Sequence, residues 1–176
     1  MSTLRDARAL SQRRGQNGAL DGPRAHARGA LPQAALSSAG GEISLPIDRE
    51  EDIFRARAAV KDACARIGFG NTAQTKVVTA LSELARNIVQ YAGMGRITIR
   101  TFVLPSLGVE VVASDDGPGI ADLAQILNPS FRSRTGMGVG LRGARSLMDF
   151  FDVQSAPGLG TTVTLRKFVV MEGRYR

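Results

Sequence analysis

Along this chain the spacing of hydrophobic residues switches between two and about 3.6, and the switches divide residues 42–170 into elements. Ile43, Leu45 and Ile47 alternate with polar positions and predict a short strand ending near Pro46. Asp48 stands where a helix cap is expected, and Glu50, Glu51 and Asp52 follow in the first turn, where acidic side chains complement the helix dipole. This helix is predicted to run to about Ile67, with Gly68 and Gly70 as stop signals. A second helix, capped by Asn71 or Thr72, is predicted from about Thr72 to Ala92. Its Val77, Leu81, Leu84 and Ile88 recur at intervals of four, three and four residues and form one apolar stripe, and Gly93 and Gly95 close it.

Period two then returns. Arg96 to Leu104, with Ile97, Ile99 and Val103 on one face, and Val109 to about Ser114 read as two strands joined by a turn at Pro105-Ser106-Leu107-Gly108. Val109, Val111 and Ala113 share a face, and continuing the alternation puts Asp115 on that inner face and Asp116 outside. Ile120 to Leu127 predicts a short helix that Asn128-Pro129 must interrupt. Residues 129–138 carry Arg132, Arg134, hydroxyl residues and glycine with little apolar content, and read as a mobile basic loop. A helix from Leu141 to about Phe150 follows, then strands from Val153 to Ala156 and from Thr161 to Val169 joined by Pro157-Gly158-Leu159-Gly160. The order is strand, two helices, strand pair, helix, loop, helix, strand pair. It predicts an α+β fold, a two-layer sandwich in which a mostly antiparallel sheet is covered on one face by helices.

Composition sharpens the boundaries. The chain has 176 residues, enough for one domain with a real core, and a net charge of +7. Residues 1–41 hold six arginines against Asp6 and Asp21, a net +4, so the remainder carries only +3. They contain no aromatic residue and no sustained periodicity, and read as a disordered basic leader, with residues 42–176 as the folded domain. Their Arg-rich, acid-poor character also suits a transit peptide, but disorder is the simpler reading. Nucleic-acid binding by the folded part is not indicated, because the basic excess sits in the leader. His26, the only histidine, lies there too, so the folded domain has no histidine for catalysis, phosphorylation or metal binding. The single cysteine, Cys64, excludes an internal disulfide and a cysteine-rich zinc site. It is in phase with Ile53, Val60 and Ile67, which predicts a small buried hydrophobe. No apolar run is long enough to cross a bilayer, and a cytoplasmic protein is expected.

Three stretches carry candidate chemistry. In Glu83-Leu84-Ala85-Arg86-Asn87 the carboxylate and the carboxamide are one helical turn apart on one edge of the apolar stripe, so both can face a cleft beside the core. A carboxylate beside a neutral oxygen donor suits a base paired with a ligand for a hard cation such as Mg²⁺. Arg86 projects away from the stripe and is expected at the surface or against a partner. In Asp115-Asp116-Gly117-Pro118-Gly119 an inward carboxylate at a strand end can accept from an exocyclic amine, and the glycines allow a ring to approach the backbone. In Gly136-Met137-Gly138-Val139-Gly140, glycines lead into a helix whose free amides can bind phosphate. No GxxxxGK[ST] loop is present, the last glycines follow a loop and not a strand, and the VAIK, HRD and DFG segments of eukaryotic-type kinases are absent.

The order of these stretches, followed by Gly158-Leu159-Gly160-Thr161-Thr162, resembles the Bergerat-fold ATP-binding superfamily of gyrase, heat-shock chaperone, histidine-kinase and mismatch-repair ATPases. Within it, SELARNIVQYAG, DDGPGI and GMGVGLRGARSLMDFF resemble the RsbT-like switch serine/threonine kinases of bacterial, stressosome-type partner-switching pathways, over about residues 42–170. The resemblance implies ATP and Mg²⁺ as cofactors, with Asn87 as the metal ligand and Glu83 as the catalytic group that orients or deprotonates the attacking hydroxyl. It implies that Asp115 accepts from the adenine amine, with Gly117 and Gly119 against the ring. Gly136, Gly138 and Gly140 would close over the phosphates, and Thr161 would bond near adenine. The acceptor it implies is a serine or threonine of a STAS-domain antagonist or scaffold, with a phosphatase or sigma factor released by switching. An anti-sigma factor of the same fold, or a partner-binding module without catalysis, are the alternatives. The leader lies outside the family's compact core, and no helical histidine-bearing segment precedes the domain, which disfavours a histidine kinase.

Overall fold

The computed structural model describes residues 40–103, 106–128 and 138–170. Five strands form one sheet: β1 Glu42–Ile47, β2 Gly95–Phe102, β3 Gly108–Asp115, β4 Phe150–Ser155 and β5 Thr161–Phe168. They lie in the order β1-β2-β3-β5-β4, and every neighbouring pair is antiparallel. Four α-helices accompany them: α1 Glu50–Arg66, α2 Asn71–Asn87, α3 Leu123–Leu127 and α4 Val139–Leu147. α1, α2 and α4 pack as a layer on one face of the sheet, as the expected two-layer α+β sandwich requires.

Register explains where the core and the polar site lie. Ile43, Ile99, Val111, Leu165 and Phe151 stand side by side across the five strands, and Leu45, Ile97, Ala113, Val163 and Val153 form the next row on the same face. Ile97, Ile99, Val111 and Leu165 are almost wholly buried against the α1 and α2 stripes, where Val60, Val77, Leu81 and Leu84 lie. Each such side chain is worth about 1.5–3 kcal/mol of burial. The third row breaks the apolar run: Ile47, Gly95, Asp115, Thr161 and Ser155. Polar groups are thus lined up at one end of the helix-covered face, next to the core and not within it.

Local chemistry sets the helix ends. Asp48 does not cap α1. Arg49 is its N-cap, and buried Asp52 reaches back to accept from the backbone N–H of Asp48 at 2.9 Å and of Arg49 at 3.2 Å, closing that terminus from inside the helix. α2 starts one residue earlier than expected, with Gly70 as its N-cap. The predicted single helix through Ala92 is instead an α-helix to Asn87 followed by a π-helical turn, Ile88–Ala92, which Gly93 closes with a bond from its N–H to the Ile88 carbonyl. A β-carbon on Gly95 would lie 2.8 Å from the Ile88 side chain and 2.5 Å from the Ser114 carbonyl, so a bare backbone here lets the end of α2 sit directly on the sheet. Cys64 is buried, as its phase predicted, and burial pushes its thiol up to about 12.

α4 is shifted towards the N-terminus relative to the expected Leu141–Phe150 helix, and β4 begins at Phe150 instead of Val153. The Asp149 carboxylate accepts from Lys167 Nζ at 2.5 Å and from the Phe168 N–H at 2.8 Å, and Arg166 lies over the Phe150 ring at 4.9 Å. These contacts to β5 draw the residues after Leu147 into the sheet. α3 is shorter than its expected Ile120–Leu127 span and is capped by Asp122, whose Oδ1 accepts from the Gln125 N–H at 2.8 Å. The strand ladder reaches just beyond β1, where Gly40 donates to the Thr101 carbonyl and Thr101 to that of Gly41. The leader of residues 1–39 and the basic loop with Arg132, Arg134 and Gly136 lie outside the described residues.

Candidate functional site

The end of α2, the start of α4 and the third row of the sheet surround one cleft. Its walls are Leu84, Ile88, Ala92, Ala113, Ile120, Leu141 and Val163, with Tyr91 and Pro118. Asn87, Asp115 and Thr161 supply polar groups, and Gly119 contributes bare backbone. It holds about 520 Å³ of unfilled space including its open mouth. A mostly apolar cleft with a few convergent polar groups is the usual form of a small-molecule site.

At one end Asn87 lines the cleft, and Glu83, which is not among the lining residues, stands one helical turn before it on α2. A β-carbon on Gly140, in the first turn of α4, would lie 2.9 Å from Glu83 Oε2 and 3.6 Å from Asn87 Oδ1. Both oxygens therefore face the same bare stretch of backbone at a helix N-terminus, where amides lack intrahelical partners. The other carboxylate oxygen of Glu83 accepts from Arg86 Nη1 at 2.5 Å. Arg86 is more than half exposed, in keeping with its expected surface position, but this pairing three residues away was not anticipated. Gly138, the N-cap of α4, has φ +88°, and a β-carbon there would meet Ile126 at 2.6 Å. Arg142 donates to the Ile126 carbonyl at 2.7 Å, so the start of α4 is held against the end of α3. Among the described residues no cluster of three or more His, Cys, Asp or Glu side chains could hold a metal ion by itself.

At the other end, Asp115 and Thr161 lie opposite each other on β3 and β5. Asp115 Oδ1 accepts from the Gly117 N–H at 3.0 Å, which fixes the carboxyl and leaves Oδ2 outside that bond. Gly119 lines the cleft with φ +69°, and a β-carbon on it would collide with the Ala156 carbonyl at 2.0 Å. Gly117 is not among the lining residues. Its missing side chain lets the backbone pass Ala92, which a β-carbon would approach to 2.6 Å. One residue at this end escaped the sequence reading. Ser155, last in the polar row, contacts Thr161 Oγ1 at 2.9 Å, accepts from the Ile120 N–H at 2.9 Å and donates to the Gly160 carbonyl at 2.9 Å. Only strand register, which puts it beside Thr161, could have flagged it.

The two-layer fold and a cleft with an acidic end, bare backbone and a helix N-terminus define an ATPase-type nucleotide fold. The chain belongs to the histidine kinase-like ATPase domain family, which matches residues 48–167. It is 39% identical to the serine/threonine-protein kinase RsbT of Bacillus subtilis over 121 residues, 68% of this chain and 91% of that protein. It is 35% identical to the anti-sigma F factor of Caldanaerobacter subterraneus over 100 residues, 53% of this chain and 68% of that protein. Among solved structures, the RsbU and RsbW domains of a Mycobacterium tuberculosis protein align with a TM-score of 0.55 and 20% identity over 77% of this chain, which spans 34% of that one. The SiaB–SiaC complex of Pseudomonas aeruginosa aligns with a TM-score of 0.50 and 12% identity, covering 73% of this chain and 89% of that chain. These two likenesses speak to the fold alone, and they agree with the Bergerat-type architecture expected from the motifs. No helix among the described residues is long and apolar enough to cross a membrane.

Proposed function

We propose that this chain is a serine/threonine protein kinase that uses Mg-ATP to phosphorylate a STAS-domain partner in a bacterial, cytoplasmic partner-switching pathway. The observation that carries the reading is the meeting of Glu83 Oε2 and Asn87 Oδ1 at Gly140, a carboxylate and an amide oxygen converging on the bare start of a helix. The likeness to RsbT over 91% of that protein's length supports it, since the matched portion includes nearly all of that kinase.

In this reading ATP enters the apolar cleft with its base at the Asp115 and Thr161 end. Asp115 accepts from the exocyclic amine, and the Gly119 backbone lines the cleft beside the ring. The phosphates extend towards α4, where Gly138 and Gly140 expose amides and Gly136 continues the same glycine series. The donor set fits magnesium, which takes one or two hard protein oxygens and completes its shell with phosphates and water. Asn87 would hold the ion, which when bound supplies positive charge to the phosphate oxygens. Glu83 takes the proton of the acceptor hydroxyl as that oxygen bonds to the γ-phosphorus, while the bond to the bridging oxygen breaks and ADP leaves with the electron pair. Arg86 holds one oxygen of Glu83, which leaves the other for that proton. The remaining contribution is positioning and fixed dipoles.

A second reading, an anti-sigma factor of the same fold, draws on the 35% identity to an anti-sigma F factor. The test is incubation with labelled ATP, Mg²⁺ and candidate STAS-domain proteins, beside a pull-down against sigma factors. Label on one STAS protein supports the kinase reading, and stable capture of a sigma factor supports the second.

A further inference from the structure

Ser155 touches three groups: the Ile120 N–H in the loop after β3, the Gly160 carbonyl in the turn before β5, and the Thr161 hydroxyl at the start of β5. A serine hydroxyl has one proton to donate and two lone pairs to accept with. The Gly160 carbonyl can only accept, so the Ser155 proton is spent on it at 2.9 Å. The Ile120 N–H can only donate, so it takes one lone pair, also at 2.9 Å. The third contact, 2.9 Å to Thr161 Oγ1, must then use the second lone pair, with Thr161 as donor. This exhausts the hydrogen-bonding capacity of Ser155 and commits the only proton of the Thr161 hydroxyl away from the cleft.

We infer that Ser155 is a specificity-determining positioning residue: by taking the Thr161 proton it turns the inner end of the cleft into an all-acceptor wall, which selects a purine with an amino group at position 6 over one with a carbonyl there. The Asp115 carboxylate opposite Thr161 is an acceptor in any case. With Ser155 in place, Thr161 presents only lone pairs beside it. A 6-amino edge offers two protons to this wall. A carbonyl at position 6 offers only lone pairs at that point and meets two groups that cannot donate to it, and a site built for hydrogen bonds rejects strongly a ligand that leaves them unpaired. This rests on the nucleotide reading above and deepens it. Asp115 alone would discriminate, and Ser155 adds the second half by fixing the polarity of its neighbour.

The test is the ratio of ITP to ATP dissociation constants, measured by titration calorimetry on the full chain with Mg²⁺. Freed of Ser155, Thr161 can donate to a 6-oxo group, so Ser155→Ala should narrow the ratio by about three- to tenfold, the worth of one hydrogen bond. In a Thr161→Val background the same substitution should leave the ratio unmoved, because no hydroxyl remains to be polarised. A merely structural role, a loosened loop, would weaken both nucleotides by the same factor, and that result overturns the inference. Thr161→Val alone provides a check that does not depend on the Ser155 variant folding. An acceptor-only threonine predicts a narrowed ratio, and a widened one would show that Thr161 donates into the cleft and would refute the assignment. If wild-type protein binds neither nucleotide, the nucleotide reading falls and takes this inference with it. Tight ATP binding with an unaltered ratio removes the inference alone.

Discussion

Replacing Gly140 by alanine should separate catalysis from folding. The new β-carbon would lie 2.9 Å from Glu83 Oε2, where ordinary contact begins near 3.4 Å, so the carboxylate must retreat by about 0.5 Å. The next contacts, 3.5 Å to Glu83 Cβ and 3.6 Å to Asn87 Oδ1, are already comfortable. The retreating group is the end of a flexible side chain, so the move costs little. At most it disturbs the exposed pair with Arg86, worth about 0.3–0.5 kcal/mol. Alanine is also the better helix former by up to about 1 kcal/mol. Stability should therefore change by less than about 1 kcal/mol, in either direction, when measured by urea unfolding. Activity should not survive so well, because a displacement of this order at a reacting group costs up to about 100-fold in rate. The assay is single-turnover phosphotransfer at saturating ATP, beside the unfolding curve. Wild-type turnover in a stably folded variant would show that the Glu83 carboxylate is not at the reacting centre. Lost turnover with a stability loss of several kcal/mol would show that the methyl acts through the fold instead.

Two further predictions concern stability. Gly119→Ala should destabilise by about 3 kcal/mol or more, because φ +69° costs an alanine about 1–2 kcal/mol and its β-carbon meets a backbone carbonyl that cannot swing away; a loss under 1 kcal/mol in denaturant unfolding would contradict the loop geometry. Cys64 titrates near 9 when unfolded and about 12 when folded, so its contribution is complete below pH 9 and declines as pH rises from 9 towards 12, by about 1.4 kcal/mol per unit. The difference between wild-type and Cys64→Ala stability across that range isolates the slope, and parallel curves would mean that the thiol is reached by water.

How much of this was legible in the sequence depends on how local the cause is. The α2 stripe and the pairing of Glu83 with Asn87 follow from helical period alone, and the inward Asp115 follows from strand alternation. The π-helical turn at Ile88–Ala92 was not legible, because what stops the α-helix is the docking of its last turn on Gly95, a contact between elements. The shift of α4 and β4 has the same origin: Asp149 and Phe150 answer to Lys167 and Arg166, which no local window contains. The Asp48 cap was a reasonable inference that lost to Asp52, whose carboxylate reaches two backbone amides from within the helix. Ser155 gave no local signal, since its contacts with Gly160 and Thr161 depend on the β4–β5 register and its third partner, Ile120, lies 35 residues away. Gly117 was grouped with Gly119 by motif, but the fold spends it on clearance for Ala92.

The most direct test of the central claim is Mg²⁺-dependent transfer of label from ATP to a STAS-domain protein by wild type, Asn87→Ala and Glu83→Ala. The account predicts labelled serine or threonine with wild-type protein and loss of transfer in both variants with the fold retained by circular dichroism. Undiminished transfer by Asn87→Ala would contradict the metal assignment, and undiminished transfer by Glu83→Ala would contradict its role as the proton acceptor.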